Sequence, residues 1–331
     1  MSPLRIGLIG SGKHGSRYAQ HIVRDFPALR LVGLARRNLE AARAQAKDLG
    51  CRAYGDYHEL LTAPDIDAVI VVVPPTLHVD IIEAAAANRK PVLLEKPAAP
   101  SLDAGQRMLR ASRRAGIPVM VAQTLRYNGV VRRLMEARTR IGPIHAARIA
   151  QHFEPSRPGW IDDPAIAGGG ITLHTGVHSF DLVRQLTGLE AERVSCELTR
   201  IGTVRSEDNF SAVIRMHGGS SVVAVAGSRA TASRSGAIEL TGRNGMLIAD
   251  HVLNTAQLVE GTTVTPLPVP EPIPTVRAVL ADFVAALQRG TPMPIPLEEG
   301  LRAVALAEAC YRAATSGRAE CVPLLDVIDA P

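Results

Sequence analysis

Gly10-Ser11-Gly12-Lys13-His14-Gly15 is a GxGxxG set directly after an apolar run and at the start of a helical pattern. In that setting Gly10 permits a tight turn, Gly12 lets the backbone approach a pyrophosphate, and Gly15 lets helix and strand pack closely. The helix N-terminus then offers free N–H groups and the positive end of its dipole to phosphate. Glycines also serve ordinary turns, so it is the strand–turn–helix setting that makes the motif a dinucleotide signature. Some 21 residues beyond Gly15 the next apolar run ends at Leu34-Ala35-Arg36-Arg37-Asn38. A carboxylate there would bind the ribose 2′-hydroxyl of NAD. Arg36 and Arg37 stand in its place, and paired guanidiniums suit a 2′-phosphate. The residues therefore favour NADP(H), with NAD(H) possible. The plain alternative is two solvated side chains in an arginine-rich protein.

Glu95-Lys96-Pro97 closes a further apolar run, Val92–Leu94. If that run is a parallel strand, its carboxyl end is where ligands sit. Lys96 there can donate hydrogen bonds to a substrate or ribose hydroxyl and stabilise developing negative charge, and Pro97 marks a possible cis bond. Alone, the tripeptide also reads as a strand exit with a surface ion pair. Farther on, Leu173-His174-Thr175-Gly176-Val177-His178 puts two histidines at i and i+4, with Asp181 one turn later. On one helix these three would form a stripe. An HxxxH with a nearby acid can bind metal, but Gly176 lies between the histidines, and no metal is expected.

The elements that must position these groups follow from periodicity. Up to about residue 122, apolar runs (Leu4–Gly10, Leu29–Ala35, Ala68–Val73, Pro91–Glu95, Val119–Ala122) alternate with helical stretches (Ser16–Asp25, Asn38–Leu49, His78–Asn88, Ser101–Ala115). That alternation predicts a doubly wound parallel sheet over residues 1–123. The rhythm then changes. A helix over Gly129–Arg140 and a strand over Ile144–Phe153 precede the triplet Gly168-Gly169-Gly170, from which one helix is expected to run to about Leu186. Strand-like segments follow, several joined by glycine turns, and predict a large, mostly antiparallel sheet. After a proline-rich connector, Pro266–Pro274, two helices close the chain at Val276–Gln288 and Leu297–Ala314. The α/β reading is thus a Rossmann unit over 1–123 and an α+β substrate and oligomerisation unit over 124–331, with the closing helices near their junction.

Taken together, Gly10–Gly15, Val71-Val72-Val73-Pro74-Pro75-Thr76-Leu77-His78, Glu95-Lys96-Pro97, and Gly168–Gly170 followed by Gly176-Val177-His178-Ser179-Phe180-Asp181 resemble the Gfo/Idh/MocA oxidoreductases nearly end to end. The resemblance implies hydride transfer between a nicotinamide and a carbinol or carbonyl carbon, usually of a sugar or polyol. It makes Lys96 the tripeptide lysine of that family and His178 its catalytic histidine, whose ordinary pKa near 6.5 suits general acid/base work. It also implies a homodimer or homotetramer through the free face of the second sheet. His174 stands where many relatives carry aspartate. A neutral histidine supplies one donor and one acceptor in place of a carboxylate, so His174 either joins the chemistry or merely packs. Pro75 replaces an asparagine that contacts cofactor in many relatives, which leaves Pro74, Thr76 and His78 beside backbone at that place. His78 reads more readily as a helix cap. Gln123 completes the cofactor side. Arg126, Tyr127, His152 and Trp160, with His174 and His178, are the candidates for substrate, and Trp160 is alternatively an oligomer contact.

Composition excludes several other classes. The chain has 331 residues and a formal charge of +5, but of its 37 basic residues only Lys13, Lys47, Lys90 and Lys96 are lysines. The arginines are spread along the chain, so no nucleic-acid tract is expected. No apolar run reaches the roughly 18 residues of a membrane span. Cys51, Cys196, Cys310 and Cys321 form no CxxC pair, and with no leader pattern the expectation is a cytoplasmic protein with reduced thiols. A small molecule is the expected partner. The leading reading is an NADP(H)-dependent oxidoreductase of a small sugar, polyol or keto compound. The competing reading is a non-catalytic regulator that senses nucleotide on the same fold.

Overall fold

A computed structural model describes residues 2–155 and 159–325. The expected second unit runs to 331; residues 156–158 and 326–331 lie outside the described residues. The chain forms two compact units. The first takes the chain up to Ala99, then Asp103–Gln123 and Pro274–Glu299. The second takes Pro100–Leu102, Thr124–Ile273 and the chain from Gly300 on.

The first unit runs β1 (Leu4–Ile9), α1 (Gly15–Asp25), β2 (Leu29–Ala35), α2 (Leu39–Leu49), β3 (Arg52–Tyr54), α3 (Tyr57–Thr62), β4 (Ala68–Val71), α4 (His78–Ala87), β5 (Val92–Leu94), α5 (Leu102–Ala115) and β6 (Val119–Val121). Its six strands pair in parallel in the order β3-β2-β1-β4-β5-β6. That is the doubly wound order that reverses between β1 and β4. All residues of β4, β5 and β6 are buried, as continuous apolar strands covered on both faces must be. The sequence pattern missed β3 and α3. They are short, and Arg52–Tyr54 carries no apolar alternation.

The turn between β1 and α1 is set by backbone contact. A Cβ on Gly10 would lie 2.1 Å from the Val72 carbonyl oxygen, and one on Gly15 would lie 2.0 Å from the Gly10 carbonyl oxygen. Gly10 also has φ +89°, which side chains avoid. Gly12 has no atom within 4 Å of its would-be Cβ.

The second unit begins with α6 (Gly129–Ala137) and β7 (Ile144–His152), then α7 (Pro164–Ala167), α8 (Ile171–His174) and α9 (Gly176–Thr187). Strands β8 (Ala191–Thr199), β9 (Asn209–Met216), β10 (Val222–Ser228), β11 (Ser235–Gly242), β12 (Gly245–Asp250), β13 (Thr255–Glu260) and β14 (Thr263–Pro266) follow. Helices α10 (Thr275–Arg289) and α11 (Leu297–Ser316) and a short β15 (Glu320–Cys321) complete the elements of the described residues. The nine strands are ordered β14-β13-β12-β11-β7-β10-β9-β8-β15. All pairs are antiparallel except β7 with β10. Helices α8 and α9 pack on one face of this sheet. There Phe180 of α9 meets Phe210 of β9 at 5.8 Å between ring centroids, and Gln151 donates to the Ser179 hydroxyl at 2.8 Å. Helix α10 belongs to the first unit, where it packs on α1.

The single helix expected after the glycine triplet is two. Thr175, at φ −106° and ψ −40°, separates α8 from α9. The triplet is held by close packing. The Gly170 N–H donates to the Tyr311 hydroxyl, which donates to the Glu207 carboxylate at 2.7 Å. A Cβ on Gly170 would lie 2.2 Å from the Glu207 carbonyl oxygen.

Among the described residues, no helix is long and apolar enough to cross a membrane, and all four cysteines are free thiols.

Two glycines of one motif should respond oppositely to the same change. Gly15→Ala should lower stability to denaturant by about 1–3 kcal/mol, because its methyl group meets fixed backbone. Gly12→Ala should stay within about 0.5 kcal/mol. Urea unfolding of both variants followed by circular dichroism checks this, and equal losses would contradict it.

Candidate active site

The candidates of the first unit gather at the carboxyl ends of its parallel strands, where open α/β sheets bind ligands. Gly10–Gly15 follows β1, Arg36 and Arg37 follow β2, Pro74 and Thr76 follow β4, Glu95 and Lys96 follow β5, and Gln123 follows β6. The Gly10 N–H bonds the Ala35 carbonyl at 2.9 Å. That bond sets the two arginines beside the phosphate turn. Arg36 is half-buried, and Arg37 and Lys13 are exposed.

Glu95 ties this region together. Its Oε1 lies 2.7 Å from His14 Nε2 and accepts from the Tyr18 hydroxyl at 2.7 Å. Its Oε2 accepts from the backbone N–H of Lys96 at 3.0 Å. Burial pushes the Glu95 carboxyl up, but His14, Lys96 and Tyr18 outweigh burial and hold it below the usual carboxylate range. Burial beside that carboxylate drives the Tyr18 hydroxyl well up, so it stays a donor. Both Glu95 and His14 therefore hold the turn and the Lys96 backbone from behind. Sequence reasoning missed Tyr18. The available signal was its i+4 spacing from His14 across the start of α1, where the two rings meet edge to face at 5.8 Å.

His78 departs from its expected role. Its side chain caps no helix: Leu77 is the N-cap of α4 and no side chain closes that end, and His78 caps only the preceding turn Pro75–Leu77, through its backbone N–H. The ring is fully buried, with Nδ1 3.1 Å from the Ala98 carbonyl and Nε2 3.1 Å from the Val73 carbonyl. Burial lowers its pKa, so a neutral ring links the loop after β4 to the chain just beyond Lys96-Pro97. That peptide is cis.

The residues fit a dinucleotide on structural grounds. The Ser11 hydroxyl is buried and has no hydrogen-bond partner among the described residues, and the same holds for Gln123 Oε1. Buried polar atoms are ordinarily satisfied, so both await a group from outside the chain. The space in front of Gly12 is open. Helix α1 has no side-chain cap and no acidic residue in its first turn, so no carboxylate competes with an anion there, while the Ser16 and Arg17 N–H groups bond the Gly12 and His14 carbonyls.

In the second unit, His174 and Trp160 are brought together. Their rings meet edge to face at 5.7 Å, and Trp160 remains partly exposed. His174 is buried, with Nε2 3.0 Å from the Ala167 carbonyl. A carbonyl only accepts, so Nε2 carries the proton. His178, in the first turn of α9, is half-buried. The Thr175 break between the two helices means His174 and His178 do not share one continuous helix, as their spacing suggested.

Three substrate candidates are otherwise engaged. Arg126 is bidentate to the buried Asp181 carboxylate, with Nε at 2.7 Å from Oδ2, so its fork is committed inside the protein. Tyr127 is buried, and the Arg132 guanidinium covers its ring at 5.2 Å. His152 lies on the sheet face away from α9, since its neighbour Gln151 points to Ser179. Its Nδ1 is 2.9 Å from the Ser235 hydroxyl. The sequence pattern could not show the Asp181 and Ser235 partners, which are distant along the chain, whereas Arg132 lies near Tyr127 in sequence. Among the described residues no group of three or more His, Cys, Asp and Glu could hold a metal ion.

Comparison with known proteins agrees with this architecture. Residues 4–123 match a family model described as an oxidoreductase family with an NAD-binding Rossmann fold, and residues 131–248 match the Gfo/Idh/MocA C-terminal domain. The chain is 30% identical over 260 residues to the myo-inositol 2-dehydrogenase of Thermotoga maritima, covering 76% of this chain and 77% of that protein. It is 29% identical over 330 residues to the 1,5-anhydro-D-fructose reductase of Ensifer adhaerens, covering 95% and 97%. A levoglucosan dehydrogenase solved with NADH and L-sorbose superposes with a TM-score of 0.88 at 23% identity, over 98% of this chain and all of that one. The chain thus belongs to the Gfo/Idh/MocA oxidoreductases and is an NAD(P)-dependent dehydrogenase or reductase.

Proposed function

We propose that the protein moves a hydride between NADP(H) and a carbinol or carbonyl carbon of a small sugar, polyol or keto compound. The observation that carries this reading is the Glu95 bridge. It joins His14 of the phosphate turn to the backbone of Lys96 at the carboxyl end of β5. The names of the relatives, an inositol dehydrogenase and an anhydrofructose reductase, support a polyhydroxylated substrate.

A bound nicotinamide supplies the hydride acceptor or donor. The chain's own groups do the rest. The phosphate turn, with Ser11 and the N-terminus of α1, binds the pyrophosphate, and Pro74, Thr76 and Gln123 line the same side. The Lys96 ammonium donates to the reacting oxygen and steadies negative charge as it develops. His178 takes or returns the hydroxyl proton. His174, its Nε2 committed to Ala167, orients substrate beside Trp160 and leaves proton transfer to His178. His178→Ala and Lys96→Ala should each lower kcat by about 10²–10⁴-fold, read as NADPH absorbance over a panel of sugars, polyols and keto acids. Tight NADPH binding with no turnover across the panel would instead favour a nucleotide sensor.

Arg36 and Arg37 favour the phosphorylated cofactor, since no carboxylate stands at the end of β2 and neither arginine is engaged in an ion pair among the described residues. Titration should show NADPH binding more tightly than NADH. Arg37→Glu should shift the ratio by about 10–100-fold toward NADH. Equal or tighter NADH binding by the unmodified protein would exclude the preference.

The free face of the nine-stranded sheet supports self-association. Ser195, Glu197, Ser211, Val213 and Ala224 are exposed there on adjoining strands, a small-residue surface that a second copy can approach closely. Val213→Arg should shift the particle mass in light scattering from dimer or tetramer to monomer. A monomeric unmodified protein would end the proposal.

A further inference from the structure

Arg126, a substrate candidate in the sequence, is committed to Asp181. A different guanidinium in the same unit is built for the purpose. Arg229 follows β10 directly, and its backbone N–H bonds the Asp208 carbonyl at 2.8 Å. Its Nε donates to the Thr175 hydroxyl at 3.1 Å, and its plane lies over the Phe153 ring at 5.3 Å. Two directions of the side chain are thereby fixed before any ligand arrives.

Arg229 has no carboxylate partner within ion-pair distance among the described residues. Glu154, the acid whose charge favours the Arg229 cation, accepts with both oxygens from Arg234 Nε at 2.7 and 2.8 Å. Arg234 itself lies over the same Phe153 ring at 5.8 Å. Burial and the Arg234 charge both work against the Arg229 cation, and Glu154 offsets them only in part. An arginine cannot shed its proton to relieve this. A half-buried, fixed, uncompensated guanidinium costs stability, and an anion supplied from outside removes that cost.

We propose that Arg229 binds a carboxylate on the substrate through its two Nη groups, so that the enzyme prefers a polyhydroxylated acid to the corresponding neutral sugar or polyol. Thr175, which holds Arg229, is the residue between His174 and Gly176 and lies three before His178. A carboxylate on Arg229 is thus anchored to the helix junction that carries both histidines. The planar fork matches two carboxylate oxygens, and Arg229→Lys removes that match while keeping the charge. The inference rests on the proposed oxidoreductase reading.

The test pairs acids with neutral counterparts: D-gluconate with D-glucitol, and D-glucuronate with D-glucose. Each is assayed with NADP or NAD. The acid should exceed its neutral partner in kcat/KM, and both Arg229→Gln and Arg229→Lys should reduce the acid-to-neutral ratio by about 10–100-fold. Arg229→Lys keeps the test valid should the glutamine variant fail to fold. A preference for the neutral partner, or a ratio unchanged in Arg229→Lys, overturns the inference. Calorimetry of the acids with the cofactor-loaded protein separates the two readings. Acid binding lost in Arg229→Lys without turnover in any variant upholds the Arg229 site and ends the catalytic reading. Absence of acid binding overturns the Arg229 site even where neutral compounds turn over.

Discussion

A carboxylate taken out of water is tolerated only where donors surround it, and the first unit is organised around one. Glu95 is buried and receives a phenol and a backbone N–H and pairs with an imidazole. Those three groups come from the phosphate turn, from one turn into α1, and from the residue that bears the candidate lysine. Moving any of them leaves the carboxylate undercompensated. The spacing between the turn after β1 and the chain after β5 is therefore a matter of electrostatic necessity. His78 fastens the neighbouring loop by a second, neutral route, since its ring faces two backbone carbonyls.

The second unit solves a related problem with different means. Its helices α8 and α9 are placed by backbone crowding at the glycine triplet and by the Tyr311–Glu207 pair. Small residues and one half-buried hydrogen-bond chain fix where α8 begins. Aromatic contacts between Phe180 and Phe210 then set the depth of α9 on the sheet. Rigid placement of this kind suits groups that must meet a reacting atom within a fraction of an ångström.

Much of the fold was legible in the sequence. Alternating apolar runs and helical stretches identified the parallel sheet, and glycine turns between short apolar segments identified the second sheet. The strand–turn–helix setting of Gly10–Gly15 and the position of Lys96 after a strand also read correctly. Two of the losses share one cause: pairing at long range leaves no mark on local periodicity. Nothing near Arg126 announces Asp181 some 55 positions away, nor does Phe153 announce Arg229. The break at Thr175 was hidden because a helical pattern cannot show that one residue departs from helical φ. His78 misled because a histidine at a helix start resembles a cap whether it faces solvent or the core.

Helix α10 carries a consequence for how the protein is made. It belongs to the first unit, yet it is encoded after almost the whole second sheet. On the ribosome the Rossmann strands emerge early, but α1 waits for its covering helix until synthesis reaches residue 289. The second unit waits longer, because its own α11 and β15 come last. Neither unit can close before nearly all of the chain has been delivered. Contacts between such distant stretches slow folding and prolong the exposure of apolar surface. The interleaved order thus joins two compact bodies into a single assembly event.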